Sequence, residues 1–321
     1  MAWLWRILLL AALLAGLAPT VFAQSIAIEK IDIATQSLNA FEFLTHKKTD
    51  KPAKITGELR LPGAGAKKLP VVLLVHGSGG VGPNIRYWET QLNRLGIATL
   101  TIDSFTGRGV KNTVADQTQV SNYAMVYDSY RALELLSNHP RIDPDRIAIM
   151  GFSKGAIAAL YTSMTRFQDL YAVSGAKFAA HLAFYPACNT THIDDTKIGK
   201  VPVRIFHGVA DDYVLIEPCR DYVDRLKTAG ADAGIFEYAG AHHSFDNPAI
   251  TRAIKLPAAL TSRKCVITER PAGIFTSADG QRYGAKDPCI ERGTTVAHSA
   301  AALAAARGHI TALLKEVFKI K

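Results

Sequence analysis

Apolar positions along the chain fall into two alternating rhythms. The stretch 54–62, KITGELRLP, alternates apolar and polar residues and reads as an early strand with one wet face. The stretch 69–77, LPVVLLVHG, is apolar without interruption, the mark of a strand buried on both faces. Residues 84–95 follow with helical spacing through Tyr87, Leu92 and Leu95. GIATLTID (96–103) is a second buried strand. SNYAMVYDSYRALELLSNHP (121–140) is a long helix, capped by Ser121 and stopped before Pro140. DRIAIMGFS (145–153) is a third strand, and a helix runs from Gly155 to Met164. AHLAFYP (180–186) and VPVRIFHG (201–208) are two more buried strands. Residues 217–228 form a helix, GIFEYAG (234–240) a last strand, and 295–318 a closing helix.

Strands alternating with helices predict an α/β protein with one doubly wound, mostly parallel sheet and helices on both faces. In such sheets function gathers at the C-terminal ends of the strands. A single domain over 24–321 is expected. Only 246–293 departs from the rhythm. It is rich in Pro, Gly and polar residues with little periodicity, and reads as a long excursion near the mouth of a site.

The first 23 residues stand apart. Arg6 is their one charge, an apolar run extends from Ile7 to Ala18, Pro19 breaks it, and Val21-Phe22-Ala23 offers small residues for cleavage. This is the pattern of a secretory signal peptide, and it predicts an exported, periplasmic or extracellular protein. The run is short for a spanning helix, and no second one follows, so no membrane span is expected after cleavage. The net charge is +9, one fewer once Arg6 leaves. The basic residues are scattered, as in the isolated pairs Lys47-Lys48 and Lys67-Lys68, without the basic and aromatic interleaving of a nucleic-acid face.

Export changes the meaning of the four cysteines, Cys188, Cys219, Cys265 and Cys289. An even number in an oxidising compartment predicts two disulfides, for which three pairings exist. Adjacent strands would bring the loops of Cys188 and Cys219 together. Cys265–Cys289 would staple the excursion, contributing ~3–4 kcal/mol in the chain-entropy model. No Cys-x-x-Cys or His-x-x-x-His spacing suggests a metal, and none is expected.

Candidate chemistry lies at the strand ends. GFSKG, residues 151–155, is G-x-S-x-G between a strand and a helix, a turn that pushes Ser153 out above the sheet. The Lys154 amide opens the helix beside it, where an anion is favoured. Asp211 and Asp212 follow one strand, and His242 and His243 follow the last. The order Ser153, Asp211, His243 is that of an α/β-hydrolase triad, with Asp212 and His242 the adjacent alternatives. HGSGG, 76–80, would supply a second oxyanion donor from Ser78 or Gly79. Arg108, after another strand, either meets a substrate carboxylate or ties loop backbone together; the second is commoner for loop arginines.

These segments resemble the dienelactone hydrolase family of α/β-hydrolases. The resemblance runs through His76-Gly77-Ser78-Gly79-Gly80, Asp103-Ser104-Phe105 with Arg108-Gly109, Gly151 to Gly155, His207-Gly208 with Asp211, and Tyr238 to Phe245. It covers the chain from about residue 55 to the closing helix. It implies an α/β-hydrolase fold, no cofactor, a small ester or lactone substrate, Asp211 as acid and His243 as base. The family's namesake enzymes have cysteine at the elbow. Ser153 in its place points to a general carboxylesterase rather than to dienelactone itself.

Two other functions fit parts of the pattern. Gly77, Gly79 and Gly82 spell G-x-G-x-x-G, and Asp103 lies about where the ribose-binding acid of an NAD-type oxidoreductase belongs. Export from the cytosolic cofactor pool and the unexplained Ser-Asp-His order count against it. A non-catalytic binding protein on a hydrolase scaffold is the other alternative.

Overall fold

A computed structural model describes residues 25–320. The signal-peptide expectation lies outside the described residues. In chain order the elements are β1 (Ile26–Gln36), α1 (Ala40–Leu44), β2 (Pro52–Pro62), β3 (Leu69–Val75), α2 (Pro83–Arg94), β4 (Ala98–Asp103), α3 (Asn122–Ser137), β5 (Ile142–Phe152), α4 (Lys154–Tyr161) and α5 (Thr165–Tyr171). They continue with β6 (Ala180–Phe184), β7 (Thr190–Thr191), β8 (Val203–Gly208), α6 (Glu217–Thr228), β9 (Ala233–Tyr238), β10 (Ile254–Thr261), β11 (Ile267–Arg270), β12 (Ile274–Thr276), β13 (Glu291–Val296) and α7 (Ala300–Phe318).

Eight strands form one sheet in the order β1-β2-β4-β3-β5-β6-β8-β9. β2 pairs antiparallel with β1 and with β4, and every later pair is parallel. The continuous apolar runs have a simple cause. In β3, Val71, Leu73 and Val75 enter one core, and Val72 and Leu74 enter the other. β5 divides in the same way, Ile147 and Ile149 against Ala148, Met150 and Phe152. One core holds residues of α3, α4 and α6, and the other those of α2 and α7. The doubly wound, mostly parallel sheet expected from the sequence is therefore present.

Four details differ. β1 was not foreseen, because it is an edge strand whose Glu29, Lys30 and Asp32 interrupt its apolar set and whose Ile26 and Ile28 stay exposed. The buried face of α2 is Ile85, Trp88 and Leu92, one position round from the face implied by Tyr87 and Leu95. The excursion is not an unstructured loop. β10 pairs with β13, and β11 bridges β12 and β7. β13 takes the start of the expected closing helix, which begins only at Ala300, where the Ser299 side chain accepts from the Ala302 amide. Short strands with bulges and turns between them leave no period long enough to read from sequence.

The disulfides are Cys188–Cys219 and Cys265–Cys289. The first joins the loop after β6 to α6, and the second closes the excursion on itself.

Candidate active site

β5 ends at Phe152, and Ser153 turns the chain into α4 with φ 52° and ψ −115°. A non-glycine residue held there stores ~1–3 kcal/mol of strain, which the packing on either side must offset. That packing explains the flanking glycines. A Cβ on Gly151 would lie 2.0 Å from the Gly155 carbonyl oxygen, and one on Gly155 would lie 2.2 Å from that of Val75. Strand and helix approach so closely that only glycine fits at either position.

The loop after β8 carries Asp211, and the loop after β9 carries His243. The two loops meet through Gly208, whose Cβ would lie 2.2 Å from the Ala241 carbonyl oxygen, and through the Ala210 amide, which donates to that oxygen at 3.0 Å. The side chains of Ser153, His243 and Asp211 then form one hydrogen-bonded line. His243 Nε2 is 2.9 Å from Ser153 Oγ, and His243 Nδ1 is 2.8 Å from Asp211 Oδ2. Asp211 Oδ1 accepts from the amides of Tyr213 (2.9 Å) and Val214 (3.0 Å). Burial pushes the Asp211 carboxyl up, but the charge and hydrogen bond of His243 outweigh it and hold the group below the usual carboxylate range.

The adjacent alternatives are placed elsewhere. Asp212 accepts from the Thr295 amide (2.7 Å) and hydroxyl (2.9 Å), which binds the acid loop to β13. His242 is half-buried and makes no bond to Ser153 or to either aspartate.

A second set of residues, not foreseen, surrounds the imidazole. The His243 ring packs against those of Tyr185 and Tyr213, with centroids 4.5 Å and 4.7 Å away. Tyr185 donates to Asp246 Oδ1 at 2.5 Å, and Trp88 Nε1 donates to Asp246 Oδ2 at 2.9 Å. Burial raises the Asp246 carboxyl above its ordinary range. The chain just after β13 holds the histidine loop, where the Ala297 amide donates to the His243 carbonyl at 3.1 Å. The sequence offered no signal for this, since these residues are spread from position 88 to position 297.

The glycine loop lies on the elbow. A Cβ on Gly77 would sit 3.0 Å from the Phe152 oxygen and 3.2 Å from Ser153 Cβ. Gly79 faces open space, so close approach is needed at Gly77 alone of the two. His76 is a buried structural residue. Its Nε2 accepts from the Ser104 amide at 3.1 Å and its Nδ1 lies 2.8 Å from the Gly77 oxygen, so the proton resides on Nδ1. Burial lowers its pKa and keeps it neutral. Ser78 Oγ donates to Gln117 Oε1 at 3.0 Å.

The Lys154 side chain, which the sequence left unassigned, is buried and donates to Gln117 O (3.0 Å) and Oε1 (3.3 Å). Burial pulls its ammonium down to about 7.

Arg108 and Asp103 are both engaged by the protein's own groups. Arg108 makes a bidentate pair with Asp128 (2.8 Å to each oxygen) and also donates to Ser37 Oγ, Ser104 O and Gln36 O. Both side chains of the pair are buried, so the guanidinium ties loops together and does not face a substrate. Asp103 accepts from the amides of Phe105 (2.9 Å) and Thr106 (3.0 Å) and from the Thr106 hydroxyl (2.6 Å), so the acid a ribose would need closes a turn. Gly82 simply precedes α2 as its N-cap.

An eight-stranded, mostly parallel sheet with a strained serine after its central strand, an acid after a later strand and a histidine after the last defines an α/β-hydrolase. The dienelactone hydrolase family matches residues 57–262, and the chain belongs to it. It is therefore a carboxylic ester hydrolase. Two solved structures share the fold. The dienelactone hydrolase-like promiscuous phosphotriesterase P91 from metagenomic libraries is 16% identical, with a TM-score of 0.58 over 91% of this chain and 98% of its own. The protein m3DLH is 21% identical, with a TM-score of 0.59 over the same shares.

Proposed function

We propose that the protein is a secreted serine hydrolase of small carboxylic esters or lactones, working through Ser153, His243 and Asp211 by way of an acyl-enzyme. The observation that carries this reading is the hydrogen-bonded line from Ser153 Oγ through the two nitrogens of His243 to Asp211 Oδ2. With Nδ1–H donated to Asp211, Nε2 is left to accept the serine proton as Oγ attacks an ester carbonyl. Asp211 fixes that tautomer and stabilises the imidazolium. The amides of Lys154, at the start of α4, and of Ser78, on the loop against the elbow, are the oxyanion donors of this mechanism. The alcohol leaves with the proton of His243. Water then attacks the acyl-enzyme with His243 again as base.

Two disulfides favour an oxidising compartment. Among the described residues no helix is long and apolar enough to cross a membrane. With the leader-like first 23 residues, the disulfides support export to the periplasm or beyond.

Substitution Ser153→Ala tests the reading. The variant is expected to keep its thermal unfolding profile, to lose p-nitrophenyl acetate hydrolysis and to lose labelling by a fluorophosphonate. Full hydrolysis by the variant would refute the assignment. An unlabelled wild-type chain would favour a binding protein on a hydrolase scaffold.

A further inference from the structure

The two residues whose amides serve as oxyanion donors in this mechanism belong to elements with no backbone hydrogen bond between them: Ser78 to the glycine loop, Lys154 to α4. Their side chains meet on one residue. Gln117 Oε1 accepts from Ser78 Oγ at 3.0 Å, from Lys154 Nζ at 3.3 Å and from Thr113 Oγ1 at 3.3 Å, while Gln117 O accepts from Lys154 Nζ at 3.0 Å. The loop that carries Gln117 is itself held. The Thr113 amide donates to Ser78 O at 2.8 Å. From the excursion, the Leu260 amide donates to Val114 O at 2.9 Å and Arg292 Nη1 donates to Ala115 O at 3.2 Å.

The chemistry suits a clasp. An amide oxygen is a neutral acceptor, so it can gather the two hydroxyls and the ammonium, the two 3.3 Å contacts being the weaker ones, without placing a second negative charge beside a developing oxyanion. The ammonium of Lys154 has neutral oxygens as its hydrogen-bond partners, so its field is not cancelled by a direct ion pair. A carboxylate at position 117 would oppose the oxyanion; glutamine does not.

We propose that Gln117 is the positioning residue of the oxyanion pocket, clasping the Ser78 loop to the first turn of α4 so that the two amides stay convergent. The excursion, by gripping the 113–119 loop, then supports the chemistry as well as the entrance. This rests on the serine-hydrolase reading above. An oxyanion exists only in the transition state, so loosening its donors lowers kcat and leaves KM nearly unchanged. Outright loss of one donor costs ~10²–10³-fold, and misplacing one should cost ~10–100-fold.

The test is a double-mutant cycle in the exported chain, measured as kcat and KM for p-nitrophenyl acetate and as the rate of fluorophosphonate labelling of Ser153. Gln117→Ala and Ser78→Ala each remove the Ser78 Oγ–Gln117 Oε1 bond that joins the two sides of the clasp, and keep both backbone amides. Each is expected to lower kcat and the labelling rate by about 10–100-fold with KM within about twofold, and the double variant to fall no further than the worse single. Should Gln117→Ala not fold, Ser78→Ala cuts the same bond from its other end and its kcat decides. A wild type that labels while Gln117→Ala retains its kcat, a change confined to KM, or fully additive losses would overturn the clasp alone. A wild type that neither turns over nor labels overturns the serine-hydrolase reading, and the clasp with it.

Discussion

Tyr185 donates its hydroxyl to Asp246 at 2.5 Å while its ring centroid lies 4.5 Å from that of His243, the two planes tilted by 57°. A carboxylate buried among aromatic rings thus fixes one wall of the imidazole slot. Tyr185→Phe keeps the ring and removes one of the donors to Asp246. It is expected to cost ~1–3 kcal/mol in chemical denaturation, the usual penalty for leaving a buried acceptor short of a partner. The kcat should fall only a few-fold, because the ring still packs on His243. A loss as large as that of Ser153→Ala would mean that the hydroxyl itself takes part in the reaction.

Asp211 sets an acid limit. Its carboxyl is held below the ordinary carboxylate value in the folded protein, so the folded state binds fewer protons there than the unfolded chain. The stabilisation is complete above the unfolded value near 4 and disappears as pH falls through the lower, folded value. Asp211→Asn should flatten stability against pH in that window. At neutral pH it should lower kcat by ~10³–10⁴-fold, since the amide favours the wrong tautomer of His243. Urea unfolding at a series of pH values and steady-state kinetics check the two halves separately.

Lys154 has the opposite sign. Its folded value near 7 lies below the unfolded value of 10.5, so the buried charge costs stability at every pH below about 7. The cost declines as pH rises from 7 towards 10.5. At ~1.4 kcal/mol per unit it amounts to a few kcal/mol, roughly 5 at most. Lys154→Met is expected to raise Tm at pH 6, with the gain shrinking by pH 10, while kcat falls. An equal Tm difference at both pH values would show that packing, rather than charge, controls the effect.

Arg108 holds Asp128 deep in the protein. Arg108→Ala leaves that carboxylate buried and unpaired, and should destabilise by ~3–5 kcal/mol. Arg108→Lys should rescue only part, since an ammonium cannot supply the bidentate fork. For whichever variant folds, KM should stay near the wild-type value. A selective rise in KM for esters with a carboxylate would show that the guanidinium meets substrate.

What could be read in the chain was whatever recurs locally. Two-sided burial leaves an unbroken apolar run in β3 and nearly continuous ones in β4, β6, β8 and the second half of β5, and those runs, alternating with helical segments, imply a parallel sheet with helices on both faces. The glycines around Ser153 are legible because close backbone contact excludes any side chain there. The order of serine, acid and histidine is legible because each follows its own strand. Choices between neighbours were less so. Asp211 and Asp212, or His242 and His243, have the same chemistry one residue apart, and local pattern cannot say which side chain turns inward.

Tertiary structure decided what depends on pairs distant in sequence. It gave Asp212 to Thr295, Arg108 to Asp128, and Gln117 to both Ser78 and Lys154. It also folded the excursion into short strands against the acid and histidine loops. Hydrogen bonds and buried charges are satisfied by whatever lies nearby in space, and such partners leave no period in the sequence. The chain by itself determined the sheet and the strand ends from which its chemistry projects. Packing alone determined which groups are held there, and by what.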